Sequence, residues 1–278
     1  MPDNASMPGV RVGWYRVRPP LVKKSRIAGG WVVNYAVGCT HGCVFCYADS
    51  IHKKYNVYGL DVGGDWGTYF YIPRNLWQAI VETPWGRWRG KEVLLSSMHD
   101  PYLPQLYKYT RAILERALRA GVRVRILTRS PLVLRDLDLL EEYRDKVTVG
   151  VSIATLDPGF ARLIELRVTP PRVRLRVLEE AAGRGLRTVA HVAPVFPANR
   201  ARPWLEEDLE SIMAELARVG VDYVYGESLH ARGSNMAYIR RVLGEEVRVD
   251  RGFDGYLERL FHRLLGRYGL RGEYLRGG

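Results

Sequence analysis

No stretch of about 18 uncharged apolar residues occurs in this chain, which excludes a membrane-spanning helix and a membrane partner of that kind. The opening residues MPDNASMPGVRVGWYRVRPP carry no apolar h-region, so the expected location is the cytoplasm, where thiols stay reduced. Cysteine is scarce. The three present all fall between positions 39 and 46. An odd, clustered set argues against a disulfide framework and for a metal or redox site. Acid is also short, with 30 Asp and Glu against 42 Lys and Arg, a net charge of +12. That excess admits nucleic acid or another polyanion as a partner. Yet there is no tight basic block, only short clusters such as Arg172, Arg174 and Arg176. A dispersed basic surface paired with the acidic residues is the other reading. No fixed-period repeat and no clear linker interrupt the chain.

What is present suits one large soluble domain. Of 278 residues, 47% are apolar and 26% charged, enough for a sizeable core. Residues 1–30 read as an irregular N-terminal extension, punctuated by Pro19-Pro20 and Gly29-Gly30. A strand is expected at 32–37, and 53–71, rich in glycine and aromatics, reads as a long loop. A helix opened by Pro73 follows at 74–82. Strands are then expected at 92–97, 122–128, 146–153, 186–193 and 221–227. Helices are expected at 103–120, 172–184 and 204–219, with caps at Ser130 and Asp157, each followed by proline. Six strands alternating with helices imply a parallel sheet with right-handed crossovers. Six units are too few for an eight-stranded barrel, so the expected fold is α/β, a partial (β/α)6 TIM-like barrel over 31–230. A C-terminal helical extension, 231–278, would hold helices at 235–243 and 253–268.

The chemistry concentrates after the first strand, in NYAVGCTHGCVFCYA at 34–48. The spacing is C-x3-C-x2-C. Three thiolates on a short loop bearing glycine can each ligate one iron of a [4Fe-4S] cube and leave the fourth iron without a protein ligand. An open coordination position is what metal catalysis requires. Two other readings of the same residues are zinc held by three cysteines and a histidine such as His41, and incidental core thiols.

This segment resembles the signature of the radical S-adenosylmethionine superfamily. SSMHDPYLP at 96–104, LTRSPLVLRDLDLL at 127–140 and VSIATLDP at 151–158 narrow the resemblance to the spore photoproduct lyase-like branch, and the stretch at 167–197 extends it. The resemblance covers about 22–227. It implies that Cys39, Cys43 and Cys46 bind the cluster and that S-adenosyl-L-methionine occupies the barrel mouth. It also implies reductive cleavage to a 5′-deoxyadenosyl radical and an electron donor such as ferredoxin or flavodoxin. Ligand-binding residues implied at the strand ends are Phe45, Tyr47, Ser97, Arg129, Ser152 and His191. Candidate catalytic residues are Asp100, Tyr102 and Glu227. The branch commonly has lysine where Arg129 stands.

Each of these positions is also compatible with a plainer role. Arg129 and Glu227 suit ion pairs, Ser97 and Ser152 satisfied strand-end hydroxyls, and Asp100 a cap before Pro101. His191 suits a buried, hydrogen-bonded histidine, and Phe45 and Tyr47 ordinary core aromatics. One departure bears on the reaction. The lyase that names the branch uses a further cysteine to return hydrogen to its product, and here every cysteine is committed. That step would need a tyrosine, with Tyr55, Tyr58 and Tyr102 as candidates. The substrate class stays open between nucleic acid or nucleotide and a small metabolite or peptide. A zinc-stabilised nucleic-acid-binding module without catalysis is the non-enzymatic alternative.

Overall fold

The computed structural model describes residues 9–25, 29–230, 233–244 and 247–276. The expected N-terminal extension therefore lies partly outside the described residues. In chain order the described elements are β1 (Arg11–Tyr15), β2 (Val22–Ser25), β3 (Gly30–Val33), α1 (Ala48–Tyr55), β4 (Tyr69–Pro73), α2 (Leu76–Glu82), β5 (Glu92–Leu95), α3 (Tyr107–Arg119), β6 (Arg123–Thr128) and α4 (Leu137–Glu142). They continue with β7 (Val147–Ser152), α5 (Pro158–Ile164), α6 (Pro171–Gly183), β8 (Arg187–Val195), α7 (Leu205–Val219), β9 (Tyr223–Ser228), α8 (Ser234–Leu243), α9 (Arg251–Arg267) and β10 (Gly272–Leu275).

The main sheet runs β10-β9-β8-β7-β6-β5-β3-β2. Every pairing from β3 to β10 is parallel, and β2 adds antiparallel to β3 at one edge. Successive strands are neighbours because each is joined to the next by a helical crossover of one hand. The expected partial barrel is thus present, its six βα strands being β3, β5, β6, β7, β8 and β9. The alternation that identified them sorts their side chains. In β6, Val124, Ile126 and Thr128 are buried against the helices, while Arg123, Arg125 and Leu127 stand on the other face, more exposed. In β9, Val224, Gly226 and Ser228 are buried, and Tyr223, Tyr225 and Glu227 are half-exposed.

The helices close the outer face for ordinary reasons. In α3 the buried residues Tyr109, Thr110, Ile113, Leu114, Ala117 and Leu118 recur at helical spacing. Asp157 accepts from Phe160 N (2.6 Å) and starts α5, and Gly220 in the left-handed region ends α7. Ser130 accepts from Leu132 N and opens only a short 3-10 turn over Pro131–Asp136.

Three differences from expectation stand out. β1 and β4 form a separate two-stranded parallel sheet, so the stretches read as extension and loop hold strands. β10 follows α9 and pairs parallel with β9, so the C-terminal segment is not purely helical. The first strand ends at Val33 rather than residue 37, because the chain turns there into the cysteine loop. Among the described residues no helix is long and apolar enough to cross a membrane.

Candidate active site

The cysteine loop leaves β3 and is stitched to its surroundings along its length. Gly38 has φ +88°, and a Cβ there would lie 2.3 Å from the Tyr69 carbonyl oxygen, so only glycine passes β4 at this point. Val37 and Tyr71 exchange backbone hydrogen bonds of 3.0 and 2.8 Å. Cys43 faces Glu165 in an antiparallel bridge, with Val44 N donating to Ile164 O (2.9 Å) and Arg167 N to His41 O (3.0 Å). The Arg167 guanidinium reaches Gly67 O at 3.0 Å. From a third side, Asn235 of α8 donates to Phe45 O (3.1 Å). Below the loop, Asp49 of α1 is fully buried and accepts from Lys53, Tyr69, Ser234 and Tyr238.

All three thiols are free, with Cys39 and Cys43 buried and Cys46 half-buried. Burial pushes Cys39 and Cys46 up to about 12, and it raises Cys43 as well. The thiols also raise one another, Cys46 acting on Cys39 and Cys43 on Cys46. Backbone N–H groups of Asp100 and His41 at Cys39, and of Ala48 at Cys46, act the other way. Three close thiols that resist ionisation alone, with amide donors aimed at their sulfurs, form a donor set that a multinuclear iron–sulfur group would deprotonate and bind. No three His, Cys, Asp or Glu side chains among the described residues converge as ligands of one metal ion. His41, the histidine nearest in sequence, turns its Nδ1 toward Asp100 at 3.5 Å. With His41 turned to Asp100, the three thiols fit a cluster that takes three protein ligands.

Around this loop the strand ends bring together several expected positions. Phe45 packs edge-on against Phe196 and lies under the Arg129 guanidinium, 5.2 Å from ring centre to Cζ. Tyr47 donates to Ser97 O (2.6 Å), which ties the segment after the third cysteine to the end of β5. Asn34 holds that end from the other side, its Oδ1 accepting from Ser96 Oγ (3.1 Å) and Ser97 N (2.9 Å). Arg129 donates to Glu165 (3.1 Å) and to Ala193 O (3.2 Å). Burial opposes its charge, but Cys43 and Glu165 outweigh that and hold its pKa above the usual value. Ser152 is buried and in register with His191. Burial lowers His191 to about 4 against the pull of Glu227, so its imidazole is neutral at pH 7. Glu227 pairs with His230 Nε2 at 2.7 Å. The wall beside it is aromatic, with His191, Tyr225 and Tyr223 in a row at ring separations of 5.5 and 4.9 Å.

Two candidate catalytic residues are tied into hydrogen bonds within the fold. Tyr102 is fully buried and donates to Asp136 (2.9 Å), so its hydroxyl faces the core rather than the mouth. Asp100 accepts from Thr128 Oγ1 (2.6 Å), Arg129 N (2.7 Å) and Tyr102 N (2.8 Å), and joins the β5 and β6 ends. Its oxygens are occupied. Tyr102→Phe is therefore expected to cost about 1 kcal/mol of stability, the worth of one buried hydrogen bond. Turnover should stay at the parent level, and a large loss would return Tyr102 to the catalytic set. Of the other tyrosines, Tyr58 lies against Tyr15, 4.3 Å away, and Tyr55 is exposed.

Arg174, the middle member of the short basic cluster with Arg172 and Arg176, is fully buried and paired with Glu165. Many surface arginines are paired too, as in Arg111–Asp138, Arg172–Glu215 and Arg241–Asp65. Sequence reasoning missed Glu165, Asn34, Asp49 and Asn235. Their only sequence signal was polarity amid apolar residues, because the partners sit far away in the chain.

An open parallel barrel with three thiols and polar strand ends at one mouth places its chemistry-bearing residues where barrel enzymes carry their active sites. The chain belongs to the radical SAM superfamily, whose family model matches residues 33–206. An uncharacterized protein, ORF301, of Acidianus two-tailed virus is 50% identical over 285 residues, covering 98% of this chain and 95% of that protein. Spore photoproduct lyase complexed with dinucleoside spore photoproduct superposes with a TM-score of 0.69 at 15% identity, covering 96% of this chain and 82% of the other. A variant of that lyase with bound AdoMet and the same photoproduct gives 0.68 at 16%, covering 95% and 80%. The fold is shared with the lyase.

Proposed function

We propose that this radical SAM enzyme binds a [4Fe-4S] cluster through Cys39, Cys43 and Cys46 and cleaves S-adenosyl-L-methionine beside it. The cysteine loop carries the reading. It is the one place among the described residues where three buried or half-buried thiols meet backbone donors at a barrel mouth. When bound, the cluster supplies the electron that splits the sulfonium and yields a 5′-deoxyadenosyl radical, with ferredoxin or flavodoxin as the class of external donor.

The chain's own side chains bind and orient. The Phe45 ring offers a flat apolar surface for an adenine. The Arg129 guanidinium, already held at two points, is placed to meet a carboxylate with a charge-assisted bond. Ser97 and Ser152, after β5 and at the end of β7 with β6 between them, offer hydrogen-bonding groups for the same ligand. His191, neutral, can accept or donate without adding charge. Glu227 and the Tyr223–Tyr225 wall face the space left for substrate.

For that substrate we propose a nucleotide or nucleic acid. The net charge of +12 suits an anionic partner of this kind. The structurally similar lyase is complexed with a dinucleoside photoproduct. The test has two arms. Protein reconstituted anaerobically with iron and sulfide, then given dithionite and S-adenosylmethionine, is expected to form 5′-deoxyadenosine. A full cluster with no cleavage would overturn the enzymatic reading. Affinity for an oligonucleotide should fall steeply with added salt, as phosphate contacts demand. A flat response would remove nucleic acid and favour a small metabolite.

A further inference from the structure

Behind Cys43 lies a buried charged array. Glu165 is 2% exposed at its side chain and Arg174 0%. The two Arg174 amino nitrogens grip both Glu165 oxygens, Nη1 on Oε1 at 3.0 Å and Nη2 on Oε2, and Nη1 also donates to Ser152 O at 2.7 Å. Arg129 Nε shares Oε1 at 3.1 Å. The Arg174 Nε has no partner. Asp100, which accepts from Arg129 N at 2.7 Å, adds a second carboxylate, so two guanidiniums face two carboxylates and the array is close to neutral. The Glu165 backbone bridges Cys43, so the array is anchored to the loop it backs.

An oxidised four-iron cluster on three thiolates is a monoanion overall and becomes a dianion on reduction. Each positive charge beside it favours the dianion and each negative charge opposes it, so the balance of the array bears on the potential. Resting on the cluster assignment above, we propose that Glu165 is a positioning residue. It holds Arg129 at the ligand site and, with Arg174, sets the net charge that fixes the cluster's reduction potential. Neither Glu165 nor Arg174 need touch the cofactor to do this, since low-dielectric surroundings carry the field.

The array predicts opposite signs for two substitutions. Glu165→Gln removes a negative charge, so the cluster becomes easier to reduce. Arg174→Gln removes a positive charge, so it becomes harder. Each is expected to change the reduced-to-oxidised ratio at a fixed applied potential by about tenfold, equivalent to about 59 mV for one electron. The double variant removes one charge of each sign and should return to the parent potential. It also guards against a single variant that fails to fold on losing its buried partner. Glu165→Gln should in addition raise the KM for S-adenosylmethionine, because Arg129 loses an anchor.

The measurement is an anaerobic potentiometric titration followed by electron paramagnetic resonance, on full-length reconstituted protein without S-adenosylmethionine. Shifts of the same sign in both single variants would mean general loosening and overturn the proposal, as would no shift in either. If the parent protein itself takes up no four-iron cluster, the function proposed above fails instead. The two failures are thus distinguishable.

Discussion

Cys43→Ala is expected to abolish 5′-deoxyadenosine formation and to leave reconstituted protein without the broad brown absorbance of a four-iron cluster near about 400 nm. Cys43 is the middle cysteine of the loop. Its strand-like backbone is fixed by the bridge to Glu165, so no neighbouring donor can swing in to replace it. Among the described residues no other cysteine is present to substitute. The loss should be complete rather than graded. Residual cleavage above a few per cent of the parent would mean that the sulfur of Cys43 is not a ligand. The fold should survive, because the loop's hydrogen bonds at Val44, Cys46 and Gly42 use backbone atoms that alanine keeps. A circular dichroism spectrum and melting curve close to the parent's would separate ligand loss from unfolding.

Asp100→Ala should give the largest loss of stability of any single change at the mouth. Three donors, Thr128 Oγ1, Arg129 N and Tyr102 N, converge on this one buried carboxylate. Alanine leaves all three without an acceptor, at roughly 1 kcal/mol or more each, or about 3 kcal/mol together. For a chain of this size that corresponds to a Tm lower by roughly 5 °C. Arg129 would lose the hydrogen bond that sets its backbone, so cleavage of S-adenosylmethionine should fall along with stability. Differential scanning calorimetry checks the first effect. A variant melting within a degree of the parent would show that water replaces the carboxylate, and would reopen Asp100 as an active-site group.

Much of this architecture was legible because the relevant signals are local. The β6 alternation of VRVRILT, the helical spacing in α3 and the proline-led cap at Asp157 each depend on a few adjacent residues, and each appears within a few positions of expectation. The cysteine spacing is local as well. What stayed hidden depends on partners distant in the chain. β10 is four residues long and exists as a strand only because it pairs with β9. β1 and β4 pair across more than fifty residues. Glu165, Asp49 and Asn235 matter through contacts that no window of sequence contains. The bond from Tyr102 to Asp136 was hidden for the related reason that a tyrosine in a proline-flanked segment gives no sign of which way its hydroxyl turns.

The hydrogen bonds that tie the cysteine loop to β4, to the end of α5 and to α8 need no cofactor at all. The empty receptacle should therefore outlive its contents. Small zinc modules collapse when their ion is withdrawn; this chain, stripped in air, should remain a folded vessel that iron and sulfide can refill. Damage by oxygen then becomes a matter of restocking rather than resynthesis.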